Sequence, residues 1–512
     1  MRQKFTITTA IGLSCLCLTA TLADAQGMGG MSGGQSAEGG RGGHHRGQRQ
    51  GAGPEAAGSA PVDGRPAATT LSLAMRLTGL VVITSETKAF NQITLAIDKP
   101  DLSVILAQRN AVLALKNVNL VSSGMVSQID DSRLAGLNSA LLINSGAAAS
   151  LDGVSINTSG TGANGAYVSG EGSQLTLQNS KITTRQSGAY GLEATDGALL
   201  IATNAQVTTE SDHAPAVASG FHGHMTLSGG VFRTAGPDSP ALSVRDGLTA
   251  SGITASAGRS EGLRLEGPQN VSLTDTTLSG DSYAARLYGP DMSDFQGEHG
   301  RGEHGMGDPV ARGMSGPGRG TPGDANTKMV SAMALMTPPP GSPMAHGELS
   351  ISGGKLDGAR AIFYVSNLRS RIVLDHVELH SEGGVILRAA AASYGELGHN
   401  GGNAQLYVRH QTLTGDFVTD VVSHISVDLK DDSHLTGKAT HNTDVTLDAG
   451  STWELAADSG VGMLTLAGVT TPDQITTILS NGHTLSYDAI SNPWLDGKIY
   501  PLPGGGKLQP GL

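Results

Sequence analysis

The chain has 512 residues, with 73 Gly, 4% aromatic and 15% charged residues, and a formal net charge of −12. A compact globular enzyme of this length normally carries more aromatic and charged residues, and a sparsely charged, acidic surface argues against nucleic acid as a partner. Both cysteines, Cys15 and Cys17, lie within the first 25 residues. A chain processed beyond them would have no disulfide, no cysteine nucleophile and no cysteine-ligated metal.

In chain order, residues 1–25 read as a secretory signal peptide. Arg2 and Lys4 precede an apolar run from Ile7 to Leu22, and Ala23-Asp24-Ala25 is a small-x-small cleavage site. Gly12 stands where a lipoprotein box needs an aliphatic residue, so free export is expected, with no transmembrane segment once the signal is removed. Residues 26–70 are Gly, Ala, Ser, Gln and Arg with His44 and His45, a composition that predicts a disordered Gly-rich linker.

From 71 to 290 one short pattern recurs: an aliphatic residue, then Asn, Asp or Gly two positions on, then another aliphatic at the sixth position. Copies begin at Leu115, Leu151, Leu177, Ala202, Leu227, Leu248 and Leu273, and resume at Ile351 and Leu374; between Leu151 and Leu273 they are 21 to 26 residues apart. That period is one coil of a β-solenoid. Within LTLQNSKITT, Leu175 and Leu177 alternate with polar residues and point to one side of a strand. Asn179 and Ser180 turn the chain, and Ile182 points inward from the next strand. Three such faces per coil are expected. A turn column of Asn117, Asn179, Asn204 and Asp275 is read as structural, because Asn and Asp tolerate the left-handed backbone and bond locally to it.

Residues 291–347 form a Met-, His-, Gly- and Pro-rich insertion. It carries Met292, Met306, Met314, Met329, Met333, Met336 and Met344, with His299, His304, His346 and Pro338-Pro339-Pro340. The spacing is irregular and predicts a disordered loop rather than a copper site. From 348 to 512 the helix is expected to continue and end in a C-terminal cap, with a shorter rung of 18 residues set by Ser433 and Ser451 and by Leu435 and Trp453.

The coils from Leu115 to Leu379, with LKDDSHLTGKA (Leu429–Ala439) and LDAGSTWELAADSGVGMLTL (Leu447–Leu466), resemble the right-handed parallel β-helix of pertactin-like autotransporter passengers and secreted bacterial adhesin-like proteins. The 46 residues after Leu466 leave no room for the membrane barrel of that family, so the likeness extends to the passenger alone. It implies an all-β, right-handed parallel β-helix, secreted or on the cell surface, with the periplasm as the alternative. Its implied role is non-enzymatic binding or scaffolding toward a glycan, matrix or cell-surface component. The alternative is a carbohydrate-active β-helix enzyme, a polysaccharide lyase or glycoside hydrolase.

The residues that bear on that alternative are few. Asn442-Thr443-Asp444 matches one polygalacturonase-like motif, but Asp431-Asp432 precedes it, His222-Gly223-His224 lies far upstream and no basic partner follows. Asp196, Asp246 and Asp275 are explained as turn residues. There is no Gly-x-Ser-x-Gly elbow on a strand-to-helix turn, and His-Glu-x-x-His and calcium-binding nonapeptides are absent from the sequence. No catalytic, cofactor-binding or metal-binding residues are assigned, and no cofactor is expected.

Overall fold

A computed structural model describes residues 73–289, 347–395 and 397–511. The expected signal peptide and linker lie outside the described residues, as does the insertion except for Gly347. Almost every described strand pairs in parallel with the equivalent strand of the rung above and below, which makes the chain a parallel β-helix. One face is a 12-stranded parallel sheet running from Gly79–Thr84 to Asp416–Thr419. The second and third faces join into a 20-stranded sheet, because long strands such as Leu199–Thr209 and His224–Thr234 pass through the corner between them without ending.

The corner is the turn column anticipated from the sequence. Asn117, Asn179, Asn204 and Asp275 all have φ between 49° and 51°. Gly occupies some intervening rungs for a steric reason as well. A Cβ on Gly229 would meet Asn204 Oδ1 at 2.5 Å, and one on Gly353 would meet Asp275 Oδ1 at 2.3 Å, so the amide or carboxylate of one rung fills the space left by the glycine of the next. Inside the corner, Leu175, Leu177 and Ile182 are fully buried. The core is a single column of Leu, Val, Ile and Ala, widened at Phe232, Phe363, Phe417 and Trp453.

Register corrects the repeat at one coil. Leu227 pairs with Ala250, and Ala250 with Leu273. The copy therefore begins at Ala250, with Gly252 in the left-handed position, and Leu248 is the preceding inward residue, paired with Met225. Both residues are apolar, but only the frame that starts at Ala250 puts a Gly at the turn position of the repeat. Across the segment 290–346 the stack stays in step: Asn270–Gly280 pairs directly with Gly347–Gly358, Leu273 opposite Ile351. The coil after Leu115 is longer because a helix, Ile129–Ala135, is inserted before the next strand, and Tyr167 is buried beneath it with its hydroxyl donating to Arg133 O at 3.2 Å.

The 18-residue rung is present. Leu429 pairs with Leu447 and Leu435 with Trp453, and the Ser433 N–H donates to Ser451 Oγ at 3.1 Å. Parallel stacking ends where Tyr500–Pro501 pairs antiparallel with Lys507–Pro510. There the Tyr487 hydroxyl donates to Lys498 O at 2.8 Å and the Tyr500 hydroxyl to Leu495 O at 3.0 Å. No helix among the described residues is long and apolar enough to cross a membrane.

Candidate functional site

Strand alternation that buries Leu and Val in the column sends every second residue outward, and on the second face these outward residues line a groove of about 1070 Å³. Its central row is Asn270, Glu348, Arg371, Gln405, Ser426 and Asp444, each paired in register with the next. The strands Leu368–Asp375 and Gly402–Arg409 begin early and widen the face by one outward position, occupied by Arg369 and Asn403, with His424 continuing the row. Toward the N-terminus the lining continues through Thr249 and Ser272 to His224. At ~4.8 Å per rung the seven steps from the strand of His224 to that of Asp444 span ~34 Å.

The groove carries both signs of charge. Arg371 lies 3.6 Å from Glu348, with both side chains 43% exposed, and its guanidinium sits 5.4 Å from the ring centroid of Tyr407. Such a solvated pair is weak, so Arg371 remains free to bond elsewhere. Arg369 is exposed and has no ion-pair partner among the described residues. At the far end His424 Nε2 is 3.1 Å from Asp444 Oδ2, and the Met463 N–H donates to Asp444 Oδ1 at 2.7 Å. Burial raises the Asp444 pKa, but these two bonds outweigh it and hold the carboxyl below its usual value.

A glycoside hydrolase needs two carboxyl groups roughly 5 to 9.5 Å apart. The groove carboxylates, Glu348 and Asp444, stand four rungs apart, ~19 Å at the usual strand spacing. The acids noted in the sequence fare no better as a pair. Asp431 and Asp432 occupy the corner in the left-handed conformation, and Asp432 fills the space beside Gly450, whose Cβ would lie 2.3 Å from its Oδ1. Leu429 pairs with Leu447, which places Asp431 level with Ala449, five residues and ~16 Å along the rung direction from Asp444. The corner therefore keeps these carboxylates away from the groove.

The remaining sequence candidates are turn residues. Asp196 has φ 54° and Asp275 φ 49°, while Asp246 accepts the Gly247 N–H at 2.7 Å. Asp246 also lies 3.6 Å from His222 and 3.7 Å from His224, so the His222-Gly223-His224 segment is fastened to the next rung.

Two further clusters come together in the structure. On the outside of the first face, Arg245 pairs with Glu266 at 2.8 Å, Arg264 bridges Glu261 at 2.7 Å and Asp238 at 2.6 Å, and Arg286 lies over Tyr288 with its centroid 5.0 Å away. Beside them Glu193 is only 6% exposed and its Oε2 has no partner. Burial pushes its pKa up to about 8, with Arg245 and Arg133 opposing. At the corner, Asp375, His376 and His410 bring three metal-type ligand atoms within 4.8 Å of one another. The signal for it was available: aligning VRHQTL (Val408–Leu413) with LDHVEL (Leu374–Leu379) places His410 on His376, and Leu374 does pair with Val408. Compared with known families and curated proteins, the chain matches no family model and no curated sequence.

Proposed function

We propose that this protein is an exported β-helix scaffold, adhesin-like in the manner of an autotransporter passenger, that binds an elongated polar polymer, a glycan strand, along its second face. The observation that carries this reading is the groove from His224 to Asp444, which is long, shallow and lined by amides, hydroxyls and two arginines. A row of side chains spaced by the rung repeat suits a polymer with its own short repeat, because each rung offers a hydrogen-bonding group at nearly the same height. Arginine favours carboxylate- or sulfate-bearing sugars through paired N–H donors. The separation of Glu348 from Asp444 supports binding over two-carboxylate hydrolysis. The export signal expected from residues 1–25 supports a secreted or surface location, where such polymers are found.

The test is a glycan array probed with the full chain, combined with assays for reducing ends and for unsaturated uronate products on the polysaccharides that bind. Binding to acidic or neutral polysaccharide, weakened tenfold or more in Arg369→Ala/Arg371→Ala and without product, is the expected result. Release of shortened or unsaturated products by the parent, abolished in His424→Ala or Asp444→Asn, would replace the scaffold by the carbohydrate-active enzyme. Array binding that the double arginine variant leaves unchanged would move the site elsewhere.

A further inference from the structure

The turn column places small or amide residues at the corner of most rungs, as at Asn179, Asn204, Gly229 and Gly353, but at two successive rungs it places histidines. His376 and His410 have φ 56° and 46°, a left-handed conformation that His, like Asn and Asp, adopts more readily than most side chains. Their rings stack with centroids 4.9 Å apart and planes 22° apart. Both Nδ1 atoms face one oxygen: His376 Nδ1 is 2.6 Å and His410 Nδ1 3.2 Å from Asp375 Oδ1. The second oxygen, Oδ2, is engaged by Arg409 at 3.4 Å.

We infer that Asp375, His376 and His410 form a binding site for a divalent cation of the zinc class, with Asp375 Oδ1 and the two Nδ1 atoms as ligands. Two imidazoles and one carboxylate oxygen suit zinc, copper(II), nickel(II) and iron(II), while calcium and magnesium require more oxygens than this corner offers. In a tetrahedral site with bonds of ~2.0–2.1 Å the ligand atoms stand roughly 3.3 Å apart. The His410–Asp375 edge, at 3.2 Å, already matches, the His376–Asp375 edge, at 2.6 Å, opens to it by under ~1 Å, and the His376–His410 edge, within 4.8 Å, closes to it by up to ~1.5 Å. Both histidines are exposed, so an ion enters without any opening of the fold, and the fourth position faces solvent. Other His–Asp contacts do not converge in this way: Asp246 holds His222 and His224 only at 3.6 and 3.7 Å, and Asp238 faces the single histidine His213.

The cation couples two rungs at one corner. Arg409 competes with it for Asp375, which makes opposite predictions for neighbouring substitutions. The experiment is calorimetric titration of the full chain with Zn²⁺, and separately with Ca²⁺, at pH 7.5. His376→Asn/His410→Asn keeps residues suited to the left-handed corner, as Asn179 and Asn204 show, and should remove one zinc site per chain while the far-ultraviolet circular dichroism is unchanged. Histidines elsewhere in the chain do not enter the comparison, because the readout is the loss of a single site. Asp375→Asn should weaken that site at least tenfold, and Arg409→Gln should tighten it. Ca²⁺ should give no heat that depends on these residues. Identical zinc isotherms for the parent and the double histidine variant would overturn the assignment, as would weaker binding in Arg409→Gln.

Discussion

Replacing Glu193 by Gln should change how the stability of the helix depends on pH. The folded protein keeps the Glu193 proton up to about pH 8, because burial without a partner for Oε2 disfavours the anion. In the unfolded chain the same carboxyl ionises near its ordinary value of 4.5. Between those limits the folded state binds more protons than the unfolded one. The contribution of Glu193 is therefore fully present below about pH 4.5 and is lost as pH rises through about 8. At about 1.36 kcal/mol per pKa unit the full swing is at most about 5 kcal/mol; relaxation of the site and entry of water reduce it. Glu193→Gln has no proton to lose, so its melting temperature relative to the parent should rise by several degrees between pH 5 and pH 9. Scans of both proteins at one heating rate make the comparison valid even where a solenoid unfolds in stages. Identical pH slopes in the two proteins would show that Glu193 is ionised and paired at neutral pH, and would refute the reasoning.

Leu177→Asp should cost several kcal/mol, since it puts a charge among fully buried neighbours, whereas Ser228→Asp on the exposed side of its strand should cost about 0.5 kcal/mol or less; chemical denaturation followed by circular dichroism reads both. Trp453→Ala should lose about 3–5 kcal/mol, because the indole is fully buried and donates to Gly437 O at 3.0 Å; an unaltered denaturation midpoint would contradict its place in the shorter rungs. Asp444→Asn should lower the melting temperature at pH 7 and leave it unchanged at a pH below the depressed Asp444 pKa, where the parent carboxyl is protonated as well. A difference that persists in acid would mean that the His424 and Met463 bonds do not depend on the charge.

What the sequence discloses here follows from what each rung must repeat. Inward positions must be apolar and the corner must accept a positive φ, so Leu177, Ile182, Asn179 and Asn204 could be placed from pattern alone. Leu248 and Ala250 both satisfy the inward rule, and it is Gly252 at the corner, together with the hydrogen-bond register, that sets the frame at Ala250. Thr183 illustrates a second limit. Alternation with the inward Ile182 points it outward, yet it is only 7% exposed, since adjoining rungs cover it, and outward on a stacked sheet is not the same as solvated. The groove was unreadable for a related reason: Glu348, Arg371, Gln405 and Asp444 become neighbours only through pairing across rungs of unequal length. Asp375, His376 and His410 were within reach of a longer alignment, whereas Glu193 gives no local sign of the burial that shifts it.

Whether the second face holds an extended polymer along its rungs is read from the affinity of the full chain for a length series of oligosaccharides taken from whichever glycan binds. Affinity should rise with each added sugar until the ligand spans the ~34 Å of the groove, given ~4.8 Å per rung, and then level off, with the ligand recovered intact. Equal affinity for a disaccharide and for long chains would contradict it.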